Sequence, residues 1–135
     1  MAAAAKADLM QLARSLNVEH DIAFPGFVNN PYSYLARADL FVLSSRWEGS
    51  PNVLTEALAL GLPVVATDCP SGPKEVLQDG LYGPLVEMGD NNALAKQMIN
   101  TLDHPHDSET LKQAVSAYTM EMSSRAYLQK MKIQS

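Results

Sequence analysis

The sequence carries one cysteine and one tryptophan in 135 residues. A single thiol, Cys69, excludes an internal disulfide framework and fits a reducing compartment. Long apolar runs are also absent, and none approaches the ~18 residues of a membrane-spanning helix. The opening "MAAAAKADLM" is too short in apolar content for a signal peptide and grades directly into a helical pattern. No run of Lys and Arg stands out and the formal net charge is −5. Nucleic acid is therefore a poor partner, because phosphate neutralisation needs clustered cations. No G-x-G-x-x-G follows a strand pattern, which disfavours a Rossmann-type or flavodoxin-like cofactor protein. His20, His104 and His106 form no Cys/His/carboxylate cluster at ligand spacing, so no metal is expected.

What is present is the composition of a soluble globular protein, 47% hydrophobic and 19% charged, with the length of one domain spanning 1–135. Leu9, Leu12, Ala13 and Leu16 recur at helical spacing, with Asn17 as a stop. "DIAFPGFV" reads as a short strand over 22–24, limited by Pro25 and Gly26. "NPYSYLARA" reads as a helix with Asn30 as N-cap and Pro31 in its first position. "DLFVLSS" is a continuous apolar run, the pattern of a strand buried on both faces. A helix over 52–60 ends at Gly61, with Pro63 barring its continuation.

"PVVAT" is the next buried strand, and "SGPKEVLQDG" gives a short helix from Pro73. "YGPLVEM" is a last short strand, and "NNALAKQMINTLD" is a helix beginning after Asp90. Ser108 is positioned to cap a final helical stretch. Short buried strands alternating with helices predict an α/β fold, a Rossmann-like parallel sheet with helices on both faces. In such folds the strand-to-helix loops gather at one edge, where ligands bind.

One loop at that edge carries two acids. In "SSRWEGSPNVLTEAL", Glu48 precedes the helix starting near Asn52 and Glu56 lies inside it. The unpaired N–H groups and dipole of a helix N-terminus make an anion site suited to a diphosphate. Gly49 lets backbone approach closely, Pro51 stiffens the entry and Asn52 is a capping residue. A carboxylate beside an anion suits a neutral donor such as a sugar hydroxyl. The same acids also fit plain helix-start chemistry, since an acid in the first turns favours the dipole by ~0.3–1 kcal/mol. Arg46 is placed to pair with Glu48, to reach a phosphate or to stay solvated. Trp47 reads as packing under the loop, Lys74 as a surface lysine or a cleft residue, and Cys69 as a buried thiol.

The wording of the stretch goes further than its spacing. "EGSPNVLTEALALGLPVVATD" resembles the E-x7-E signature of retaining GT-B glycosyltransferases, specifically glycosyltransferase family 4. The resemblance extends to "ADLFVLSSRWEG" before it and to "CPSGPKEVL" and "GLYGPLV" after it, covering roughly residues 21–102. It implies that Glu56 binds the ribose hydroxyls of a nucleoside-diphosphate sugar. Backbone around Asn52 and Val53 would hold the diphosphate, Gly49, Ser50 and Pro51 would line the donor, and Glu48 would contact the reacting sugar. Val28 and Asn30 would frame the base, and Ser71 and Gly72 would lie near the cleft. Ser50 stands where the pattern commonly has Phe.

The resemblance further implies a UDP-sugar donor carrying a hexose or N-acetylhexosamine, a glycan or glycolipid acceptor, and no metal or cofactor. It implies a cytoplasmic location, at the inner face of a bacterial membrane, in lipopolysaccharide or polysaccharide biosynthesis. Two expected parts are missing from the 135 residues: an N-terminal acceptor domain, and the first two strands of the donor domain with their basic diphosphate residues. The chain therefore reads as a truncated C-terminal half of GT-B, inactive alone. Its sheet is expected to close a gap by strand exchange in a homodimer or by relocation of the first helix and strand. The competing reading is a non-catalytic α/β module that binds a nucleotide or a protein.

Overall fold

A computed structural model of the chain describes residues 3–26, 29–44, 52–70, 72–116 and 118. The chain divides into two compact units, residues 1–31 and 32–135. In the first, helix α1 (Ala3–Ser15) ends where Asn17 takes φ 58°. The Val18 amide bonds the Ala13 carbonyl and the Asn17 amide bonds that of Arg14, at 3.0 and 3.1 Å. This is a Schellman closure with asparagine in the left-handed position. A 3-10 turn (Glu19–Asp21) follows. The strand expected at 22–24 does not form: Ile22 is extended, at φ −121° and ψ 134°, but the segment joins no ladder. Three apolar residues ahead of a proline offer few ladder hydrogen bonds, so local propensity alone does not hold them in a sheet.

The second unit holds a three-stranded parallel sheet in the order β1 (Phe41–Leu43), β2 (Val64–Thr67), β3 (Leu85–Val86). Phe41 pairs with Val64 and Leu43 with Ala66, then Ala66 with Leu85 and Thr67 with Val86. All four β2 residues are buried, as a central strand covered on both faces requires. β1 is only half-buried along its length, less than its apolar run implied. Among the described residues it has β2 as its one strand neighbour, which leaves it at the sheet's edge.

Around the sheet lie α2 (Tyr32–Arg37), α3 (Asn52–Ala59), α4 (Pro73–Val76), α5 (Asn91–Asp103) and α6 over 108–116. Leu54, Ala57 and Leu58 of α3 are fully buried against Val64 and Ala66 of β2, Val76 and Leu77 beside α4, and Leu111 of α6. Burying a leucine side chain contributes about 1.5–3 kcal/mol, so this cluster anchors α3 to the sheet. Since α5 packs on β2 and β3 without entering that cluster, it covers the opposite face.

Helix ends follow local chemistry. Gly61 takes φ +74° after α3, with the Leu62 amide bonded to the Ala57 carbonyl at 3.0 Å. The Asp90 carboxylate caps α5 by accepting from the Ala93 amide at 3.0 Å. At α6 the capping side chain is Asp107, not Ser108: it accepts from the Thr110 amide at 3.3 Å. Ser108 instead sits against Gly61, where a Cβ would collide with it.

Candidate functional site

The carboxyl edge of the sheet is defined by Leu43, Thr67 and Val86, and two loops leave it toward helix N-termini. One runs from Ser44 to α3 and the other from Asp68 to α4. The Thr67 hydroxyl donates to the Leu43 carbonyl at 3.3 Å, pinning the two loop origins together. The Asp68 amide donates to the Val86 carbonyl at 2.8 Å, which holds the second loop to β3. Gly72 precedes α4 with φ 138° and ψ −54°, a conformation that suits glycine, and Pro73 opens the helix.

On α3 the site takes shape from helical periodicity. Leu54, Ala57 and Leu58 turn inward, which leaves Val53 44% exposed and Glu56 half-buried on the outer side. Asn52 begins the helix, so its N-terminal amides face the edge where the loops leave. The Glu56 carboxylate accepts a 3.1 Å hydrogen bond from the Tyr32 hydroxyl at the start of α2. That bond, reinforced by the carboxylate's charge, pushes the Tyr32 pKa above the ordinary tyrosine value. Among the described residues no ion pair involves Glu56. An ionised carboxylate on the first turns of a helix has the lone pairs to accept from neutral hydroxyls.

Of the sequence-predicted residues, Glu56, Val53 and the Asn52 backbone come together on the first turns of α3. Gly72 begins the neighbouring helix at the same sheet edge. Asn30 is exposed and belongs to the first unit. Glu48, Gly49, Ser50, Pro51, Val28 and Ser71 lie outside the described residues, as do Arg46 and Trp47 and the Asn52 side chain. Lys74 pairs with Asp79 at 3.5 Å, both well exposed, in keeping with a surface lysine. Cys69 is a buried free thiol. His106 Nε2 lies 3.0 Å from the Leu81 carbonyl, and His20 lies 3.8 Å from Glu19.

The contact between Tyr32 and Glu56 was not legible in the sequence. The only sequence signal of Tyr32 is its place directly after the asparagine-proline pair, and its partner is 24 positions away. A separate cavity of about 490 Å³ lies at the opposite, amino edge, lined by Ala38, Asp39, Leu60 and Pro63 among others. No helix of the described residues is long and apolar enough to cross a membrane.

With the geometry in place, comparison with known proteins is informative. The family described as "Glycosyl transferases group 1" matches residues 2–104. A relative from Campylobacter jejuni is 39% identical over 98 residues, covering 73% of this chain and 27% of the relative. That protein is named N-acetylgalactosamine-N,N'-diacetylbacillosaminyl-diphospho-undecaprenol 4-alpha-N-acetylgalactosaminyltransferase. The lipopolysaccharide core biosynthesis glycosyltransferase LpsE of Rhizobium meliloti is 33% identical over 130 residues, covering 90% of this chain and 37% of LpsE. The chain thus spans 27% and 37% of the length of these two relatives. The solved sucrose-phosphate synthase of Thermosynechococcus elongatus superposes with a TM-score of 0.75 at 25% identity, over 98% of this chain and 35% of that one. The parallel α/β architecture is that of GT-B glycosyltransferases. This chain belongs to the group 1 family of glycosyl transferases.

Proposed function

We propose that this chain is the donor-binding part of a retaining, family 4 glycosyltransferase that uses a UDP-sugar. The observation that carries the reading is the half-buried Glu56, free of any ion pair among the described residues, in the first turns of α3 at the sheet's carboxyl edge. Its carboxylate would accept from the ribose diol, while the amides at the α3 N-terminus receive the diphosphate. As the glycosyl bond breaks, negative charge grows on the departing diphosphate, and fixed amide dipoles stabilise it without reorganising. Glu48 would hold the reacting sugar's hydroxyls.

The transferred group would be a hexose or an N-acetylhexosamine, and the acceptor a glycan or glycolipid at the cytoplasmic face of a membrane. The names of the relatives from Campylobacter jejuni and Rhizobium meliloti support that class of product. No metal enters this scheme. The 135-residue chain alone is expected to bind donor without transferring it, because the acceptor-binding residues would be supplied from elsewhere.

Calorimetric titration of the chain with UDP and UDP-sugars tests the reading. Saturable binding is expected, weakened at least roughly tenfold by Glu56→Ala, since hydrogen bonds to a charged group contribute ~1.5–3 kcal/mol each. Failure to bind any nucleotide would favour a non-catalytic α/β module instead.

A further inference from the structure

We propose that Tyr32 is a positioning residue for Glu56, its hydroxyl holding one carboxylate oxygen so that the rest of the carboxylate is presented to a vicinal diol. The inference rests on the reading of Glu56 as the ribose-binding acid and adds to it the group that orients that acid.

The geometry is specific to these two side chains. Tyr32 is the first residue of α2, and its hydroxyl donates to Oε1 of Glu56 at 3.1 Å. Glu56 sits between Leu54, Ala57 and Leu58, all fully buried, so the rotation of α3 about its axis is fixed and the carboxylate cannot turn inward. A glutamate on a helix surface otherwise has three rotatable bonds to order when it meets a ligand. One hydrogen bond from a rigid ring removes much of that disorder before the ligand arrives, and preorganisation of this kind raises affinity without a new contact to ligand. A carboxylate has about four lone-pair sites. The phenol occupies one, which leaves Oε2 and the second lone pair of Oε1 for the paired hydroxyls of a ribose.

The alternative is a bystander pair at the surface. Tyr32 is 47% exposed, and an exposed pair of this kind contributes little to stability. Its effect is then on the direction of the carboxylate, which the 3.1 Å bond from the phenol to Oε1 constrains.

The test is calorimetric titration of the full chain with UDP and with 2′-deoxy-UDP, which lacks one hydroxyl of the diol, in the wild type, Tyr32→Phe and Glu56→Ala. Tyr32→Phe is expected to weaken UDP about 3- to 10-fold and 2′-deoxy-UDP less than twofold, so that the preference for the diol narrows. Equal weakening of both nucleotides would mark a merely structural tyrosine and overturn the proposal, as would no change in either. Should Glu56→Ala leave the wild-type preference intact, the ribose role of Glu56 falls, and the proposal falls with it. Should Glu56→Ala abolish the preference while Tyr32→Phe keeps it, only the role of Tyr32 falls. A titration of phenolate absorbance, resolved as wild type minus Tyr32→Phe, reads the bond itself. Glu56→Gln is expected to bring the Tyr32 transition back toward the ordinary tyrosine range, and an unmoved transition would also overturn the proposal.

Discussion

Thr67 at the end of β2 donates its hydroxyl to the Leu43 carbonyl at the end of β1, at 3.3 Å. The bond lies at the last residues of two paired strands, just before the loops that lead to α3 and α4. Thr67 is 5% exposed, so its polar atoms are shielded from water. Thr67→Val, which keeps the shape and removes the donor, is expected to cost about 0.5–1.5 kcal/mol. Urea denaturation checks this, and an unchanged midpoint would contradict it.

The Tyr32–Glu56 pair makes stability depend on alkaline pH in a defined direction. The pKa of Tyr32 is raised in the folded state above its unfolded value near 10.0. Between those two values the folded chain binds more protons than the unfolded chain, so stability falls as pH rises. The pair's contribution is therefore fully present below about pH 10 and lost as pH climbs through the folded value. Wild-type stability minus that of Tyr32→Phe should be flat up to about pH 9 and shrink above about pH 10. A difference that stays constant through that range would contradict the coupling of Tyr32 ionisation to folding.

Gly83 has no room for a side chain. A Cβ there would stand 2.7 Å from the Val64 carbonyl oxygen and 2.9 Å from Val64 Cγ2, both on the central strand. Backbone cannot yield as a flexible side chain does, so Gly83→Ala is expected to cost about 1–3 kcal/mol. Chemical denaturation measures it, and a variant as stable as the wild type would show that β3 and its approach shift freely.

Lys74 serves as the contrasting case. Its 3.5 Å pair with Asp79 joins two exposed side chains, and pairs of that kind contribute about 0–1 kcal/mol. Lys74→Ala should change stability by less than about 1 kcal/mol and leave UDP affinity within twofold of wild type. A tenfold loss of affinity would move Lys74 into the diphosphate site.

Where the signal was local, the fold was legible. Gly61 and Pro63 marked the end of α3, Asp90 the start of α5, and Pro73 the start of α4, because each acts through its own backbone or the next turn. Errors arose where neighbours decide. The run at 22–24 has the composition of a strand but joins no ladder, and β1 has an apolar run yet is only half-buried, with β2 as its one strand neighbour among the described residues. Asp107 took the cap expected of Ser108 because it lies one residue earlier, before the first helical turn. The motif picked out Glu56 as a residue of α3, where the structure has it. The hydrogen bond from Tyr32 to Glu56 was not legible, since its two residues lie 24 positions apart and meet only in the folded chain.

The most direct test of the donor-site account is the pattern of backbone amide shifts when the isotopically labelled chain is titrated with UDP and followed by two-dimensional NMR. The account predicts saturable shifts concentrated at residues 52–56 and 68–72, needing at least roughly tenfold more UDP to saturate in Glu56→Ala. Shifts confined to the amino edge around Ala38, Asp39 and Leu60, or no shifts at all, would contradict it.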